Sequence, residues 1–102
     1  MKIKIWQIDE NNKDAVRYLF LNYDWVLKHG GFRPDLYKQV YEGELNAADI
    51  EDVYYILNVR KPADYKARSL SVSDVVEIDH ENAASEFAFC DSIGFLKVNF
   101  KK

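Results

Sequence analysis

The sequence predicts an α+β domain: an N-terminal strand, two or three helices, then a C-terminal three-stranded antiparallel meander, forming one sheet packed on helices. Three observations carry this. Residues 2–8 alternate with a period of two, two later stretches carry apolar stripes near a period of 3.6, and the last third holds three β-rich runs parted by polar turns.

Lys2 to Ile8 places Ile3, Ile5 and Gln7 on one face and Lys2, Lys4, Trp6 and Ile8 on the other, which is the pattern of a strand. Asp9-Glu10-Asn11-Asn12 ends it and supplies helix N-caps. Val16, Leu19, Phe20 and Tyr23 then stand at i, i+3, i+4 and i+7, predicting an amphipathic helix, with Trp25-Val26-Leu27 as a further short turn and Gly30-Gly31 ending it. Residues 36–45 fit either a helical turn (Tyr37, Val40, Tyr41) or a short strand, and the β-forming aromatics favour the strand. From Asn46 to Val59 a second helix is expected, capped by Asn46, striped by Ile50, Val53, Tyr54 and Leu57, and stopped before Pro62. Val75–Ile78, Glu86–Asp91 and Phe95–Phe100 follow as strands, the last two joined by the turn Asp91-Ser92-Ile93-Gly94.

With 102 residues the chain has room for one domain, residues 1–102, and one core. It is 48% hydrophobic, and seven Tyr, six Phe and two Trp supply large buried areas without a metal or a disulfide. The net charge of −3 and pI near 5.3 weigh against direct nucleic-acid binding, where cation–phosphate contacts supply most of the affinity. A single cysteine, Cys90, excludes an intramolecular disulfide. The opening MKIKIWQIDENN is too charged for a signal peptide, and eighteen apolar residues never run together, so a cytoplasmic location is expected.

The most distinctive segment is residues 64–74. In an extended chain Ser69, Ser71 and Ser73 would share one face while Leu70 and Val72 take the other. With Asp64, Tyr65, Arg68 and Asp74 they form the candidate binding surface, Arg68 offering a planar fork for carboxylate or phosphate. The alternative is an edge strand or loop whose hydroxyls return to nearby backbone. Asn58 and Asp91 are read as anchors that brace the segment.

Catalysis is not expected. Neither His29 nor His80 stands in a nucleophile's context, there is no G-x-S-x-G elbow, and the glycines form no phosphate cradle. Two isolated histidines and one cysteine give no metal-ligand spacing, and Asp79-His80-Glu81 reads as a solvated turn, so neither metal nor cofactor is expected. The cations Arg60, Lys61, Lys66 and Arg68 around Pro62 and Tyr65 could form a local anion patch. Tyr37, Tyr41, Tyr54, Tyr55 and Tyr65 cannot all point inward, since Tyr54 and Tyr55 lie on different helix faces, and exposed tyrosine favours a protein interface.

Pro62-Ala63-Asp64-Tyr65 followed by Ser69-Leu70-Ser71-Val72-Ser73-Asp74-Val75-Val76 resembles the signature of the YodL-like domain family. Val40-Tyr41-Glu42-Gly43, the helix ending near Asn58, and Cys90-Asp91-Ser92-Ile93-Gly94-Phe95 fit the same order, so the resemblance spans nearly the whole chain. Relatives usually carry Gly-His before the first serine, where this chain has Ala67-Arg68, a departure that counts further against catalysis. The resemblance implies a component of bacterial mobile elements with no established activity. The expectation is a non-enzymatic module that binds protein, the alternative a nucleic-acid-associated or DNA-mimicking accessory factor acting against host defence.

Overall fold

The alternating run at the N-terminus is strand β1 (Lys2–Ile8), an interior strand of the sheet in a computed structural model that describes residues 1–100. The other strands are β2 (Tyr37–Glu44), β3 (Val75–Ile78), β4 (Glu86–Cys90) and β5 (Phe95–Lys97), and the helices are α1 (Tyr23–Lys28) and α2 (Ile50–Val59). All neighbours pair antiparallel in the order β2-β1-β3-β4-β5, so β2 and β5 are the edges. The mixed α+β class is as the sequence predicts. The finer order needs correcting: a second strand, β2, stands between the helices, and the C-terminal strands continue the N-terminal pair in a single five-stranded sheet.

Both faces of the sheet carry a core, which the alternation in β1 makes possible. Ile3 and Ile5 point towards α2 and pack with Val53, Leu57, Val76, Leu70, Tyr41 and Tyr65. Ile8, with Tyr37, Val75 and Phe89, points to the other face, where Ala15, Tyr18, Val26 and Leu36 close a second core. Aromatic rings build that second core. Phe32 lies within 6.4 Å, centroid to centroid, of Tyr23, Tyr37, Phe89 and Phe100, and Phe87 stacks on Phe100 at 4.9 Å.

The β1–β2 register contains a bulge. Tyr41 lies opposite Ile5 and Gln39 opposite Trp6, leaving Val40 over. One extra residue in an edge strand kinks it and disrupts the ladder there, which discourages pairing with a foreign strand.

The first helical stripe is broken. Val16–Tyr18 forms only a 3-10 turn, and Phe20 takes φ +64°, a left-handed conformation that no helix continues through. Helix α1 starts afresh because Asn22 caps it, its Oδ1 accepting from the Trp25 N–H at 3.0 Å. Helix α2 also begins later than expected. Asp49, not Asn46, is its cap, accepting from Asp52 N at 2.9 Å while Asp52 Oδ2 accepts from Ala48 N at 2.9 Å. This reciprocal pair satisfies two backbone donors at once, which Asn46 alone does not do. Val53 and Leu57 are fully buried, each worth about 1.5–3 kcal/mol. The last strand is short: β5 stops at Lys97, and Val98 and Phe100 turn into the second core.

Candidate functional site

The 64–74 segment leaves α2, crosses the end of the sheet and enters β3, held by contacts from five directions. Tyr65 is buried edge-on against Tyr41, centroids 5.0 Å apart, and its hydroxyl donates to the Arg68 carbonyl at 2.5 Å. Gln7, buried at the end of β1, donates its amide to that same carbonyl (3.1 Å) and to Asp74 Oδ2 (3.0 Å). Asn58 on α2 donates to the Leu70 carbonyl at 3.0 Å. Tyr37 of β2 donates to the Ser73 carbonyl at 2.5 Å, and β4 is joined through Ser73 N–Cys90 O (2.9 Å) and Cys90 N–Asp74 O (2.7 Å).

Ser71 to Asp74 is a tight turn rather than an extended run. Asp74 N donates to Ser71 O at 3.0 Å, and Ser73 in third position has φ +84°, the conformation a type II turn requires there. Asp74 locks the turn by accepting from Ser71 N at 2.8 Å. The expected serine row is therefore broken. Ser73 Oγ is buried and accepts from the Phe20 N–H at 3.1 Å, Ser71 Oγ returns to the Ser69 carbonyl at 3.1 Å, and Val72 is only half-buried. The two non-glycine residues with positive φ, Phe20 and Ser73, thus hold each other in place.

Asp74 is the electrostatic centre of this segment. It is 1% exposed, and burial pushes its pKa up to about 7, against the opposing pull of the Ser71 N–H, the Gln7 amide and the Arg68 guanidinium. The guanidinium stands 3.9 Å from Asp74 Oδ1, pairs with Glu10, and lies over the exposed Phe20 ring at 5.7 Å. Burial, then the Asp74 charge, also raises Tyr65, to about 12. Asp64 is exposed and accepts from Tyr41 OH at 3.2 Å. A polar cavity of about 400 Å³ opens beside Arg68, lined by Gln7, Glu10, Lys38 and Lys66 among others. Its cations are partly matched, Arg68 by Glu10 and Lys38 by Asp9 at 3.7 Å.

Of the two residues read as anchors, Asn58 holds Leu70 as described. Asp91 Oδ1 accepts from both Ser92 N (2.9 Å) and Tyr23 N (3.0 Å), tying the β4–β5 turn to the start of α1. Tyr37, Tyr41 and Tyr65 are buried, whereas Tyr54 and Tyr55 are exposed on α2. Among the described residues no group of three or more His, Cys, Asp or Glu is placed to hold a metal ion.

A second feature lies on the α2 side of the sheet. The strand β4 alternates large and small: Phe87 and Phe89 fill the far face, while Glu86, Ala88 and Cys90 face the α2 side. Helix α2 covers β1 and β3, and its Tyr54 ring reaches across β4 to meet Phe95 of β5 edge-on, centroids 6.3 Å apart. Beyond it, Ala88 and Cys90 floor a trough walled by Ile50 and Tyr54 of α2 and by Phe95 of β5. Phe95 divides it into two hollows of about 310 and 250 Å³, the larger predominantly apolar. Ile93, 92% exposed, stands in the turn at one end. The Cys90 thiol is pushed up to about 12, by burial first and then by the charges of Asp74, Asp91 and Glu51. Sequence reasoning missed the trough, although the small-residue face of Glu86-Phe87-Ala88-Phe89-Cys90 was a readable signal.

A sequence model of the YodL-like domain matches residues 2–100, nearly the full length. The chain belongs to the YodL-like domain family. No curated protein and no solved structure matches it. In this YodL-like domain the stretch from Ser69 to Val76 forms the Asp74-locked turn and the strand β3, so the family string coincides with the hydrogen-bonded hub of the fold. Ala67 is half-buried against the α2-side core, and Arg68 bridges Glu10, Asp74 and Phe20.

Proposed function

We propose that this YodL-like domain is a non-enzymatic module that binds protein, serving a mobile element in the bacterial cytoplasm. The observation that carries the reading is the uncovered half of the sheet. Next to α2, Phe95 of β5 stands half-buried beneath no second helix, over the buried Ala88 and Cys90 of β4, with the exposed Tyr54 on one side and Ile93 at one end. Apolar surface left in a concave strip beside an exposed tyrosine is the composition of a protein docking site. The 64–74 segment supports the reading from beneath. Its buried hydrogen bonds fix β3 and the β4 end, and therefore the trough floor, while Arg68, Asp64 and Ser69 remain at the surface as secondary contacts.

The described residues also contain no helix long and apolar enough to cross a membrane. The chemistry of the hub supports binding over turnover. Asp74 is the one carboxylate buried there, and its Oδ2 is occupied by two N–H donors rather than directed at open space.

The test is comparative capture from a native host with the wild-type domain and with Ala88→Leu, which fills the trough floor. A partner recovered only by wild type, whose purified form protects β4 and β5 from hydrogen exchange, supports the reading. A partner recovered equally by both, or protection confined to Arg68 and Phe20, refutes the trough as the docking surface.

A further inference from the structure

The reading of the trough as a docking surface leaves the occupant open, and its geometry and charge narrow it. We infer that it takes a basic amphipathic α-helix of a partner protein. The inference rests on the proposed function and names the chemistry of that partner.

Shape favours a helix. Neighbouring helices pack about 8–10 Å apart, and adjacent strands lie about 4.7–4.9 Å apart, so one helix spans about two strands. The body of helix α2 lies over β1 and β3 with Tyr54 reaching Phe95 of β5 at 6.3 Å, so a second helix in that layer would sit over β4 and β5 on top of this ring pair. An added β-strand would instead need a template edge. Among the described residues the edge on this side is β5, three residues long, which offers few ladder bonds. Phe95 forms a ridge between the two hollows, so two anchors one helical turn apart, about 5.4 Å, would straddle it. The small floor residues Ala88 and Cys90 leave room for large anchors such as Leu, Met or Phe.

Charge favours a basic helix. Among the described residues, Asp49, Glu51, Glu86 and Asp91 line the two hollows, against Lys97 as the one lysine or arginine. The Met1 ammonium, which donates to the Leu45 carbonyl at 2.7 Å, adds a second positive charge, and Glu86 lies 4.0 Å from Lys97 and 3.5 Å from His80, so the rim keeps a net negative charge. Asp49 is tied into the α2 cap and Asp91 into its turn. Glu51, exposed on α2, has no ion pair among the described residues. An apolar floor inside an acidic rim attracts a helix with an apolar stripe flanked by Lys or Arg and repels an acidic one. The same apolar strip with a basic rim would select the opposite partner, so the rim is what sets the sign.

Two fluorescent synthetic peptides of about 18 residues test this. Both carry leucines at i, i+3, i+4 and i+7, one with lysine at the remaining positions and the other with glutamate. Anisotropy titrations against the intact domain are expected to show the basic peptide binding at least about tenfold more tightly, equivalent to about 1.4 kcal/mol. Glu51→Gln/Glu86→Gln, two surface changes that leave the core alone, should weaken it about fivefold and flatten its salt dependence. Ala88→Leu should abolish binding, its fold checked by circular dichroism and melting.

If both peptides bind equally and Ala88→Leu abolishes both, the charge inference fails while the docking surface stands. If the basic peptide binds and no variant weakens it, both readings fail; if sedimentation equilibrium shows a dimer that Ala88→Leu abolishes, a second copy is the occupant and the helix inference fails while the docking surface stands. If neither peptide binds, the helix inference fails, and the capture comparison decides the docking surface separately.

Discussion

Replacing Asp74 with asparagine should stabilise the protein at neutral pH relative to its stability in mild acid. The Asp74 carboxyl is buried, and its pKa is raised from 3.8 to about 7. A carboxyl raised in the folded state stabilises fully below its unfolded value and loses that contribution as pH rises through its folded value. Wild-type stability should therefore fall between about pH 4 and pH 7 through this residue and level off above. The gap from 3.8 to about 7, at 1.36 kcal/mol per pH unit, corresponds to about 4 kcal/mol in all, of which about 2 kcal/mol falls between pH 5 and pH 7. Asparagine keeps one oxygen to accept from Gln7 and Ser71, as Asp74 Oδ2 does, and places its NH2 where Oδ1 faces Arg68 at 3.9 Å. It cannot ionise, so the variant lacks this decline. Urea denaturation of both proteins at pH 5, 6, 7 and 8 measures the difference, and subtracting one series from the other cancels every other titrating group. The variant should gain on wild type by about 2 kcal/mol from pH 5 to pH 7 and stay level to pH 8. Two parallel series, or a wild type that gains on the variant as pH rises, would mean that Arg68 and the N–H donors outweigh burial, and the account of the hub would be wrong.

Ser73→Gly should be more stable than Ser73→Ala by about 1 kcal/mol in urea melts, because both lose the acceptor for Phe20 N but only glycine is at ease at φ +84°. Equal stabilities would deny the left-handed turn. Gly43→Ala should cost about 1–3 kcal/mol in thermal melts, since its Cβ would come within 2.5 Å of the Tyr41 hydroxyl and displace a ring packed on Tyr65. A neutral result would show that Tyr41 swings away freely. Cys90, buried and raised to about 12, should react with Ellman's reagent at pH 8 far more slowly than a free thiol until urea unfolds the domain. Immediate labelling of the native protein would contradict its burial.

The strands were legible where alternation and β-branching agreed. Residues 2–8 and 75–78 form β1 and β3 over the expected spans, and Tyr37–Glu44 forms the strand its aromatics favour. The helices were less so, for reasons outside local pattern. Val16, Leu19, Phe20 and Tyr23 carry a helical stripe, but Ser73, 53 residues away, holds the Phe20 N–H and Asn22 restarts the chain. Asn46 is an adequate cap that loses to the reciprocal Asp49–Asp52 pair three residues on. In the candidate site the residue types were readable and their directions were not. Ser-Leu-Ser-Val-Ser alternates as a strand would, yet Gln7, 67 residues before Asp74, and the Cys90 backbone convert its end into a turn. The trough depends on where α2 ends relative to β4, which no local pattern encodes.

The most direct test of the account is amide chemical-shift mapping of the labelled domain titrated with the basic peptide. The trough reading predicts shifts concentrated at Ala88, Cys90, Phe95 and the α2 residues Glu51 and Tyr54, with Arg68, Phe20 and Lys38 unmoved. Shifts centred on Arg68 and Phe20, with β4 and β5 silent, would contradict it.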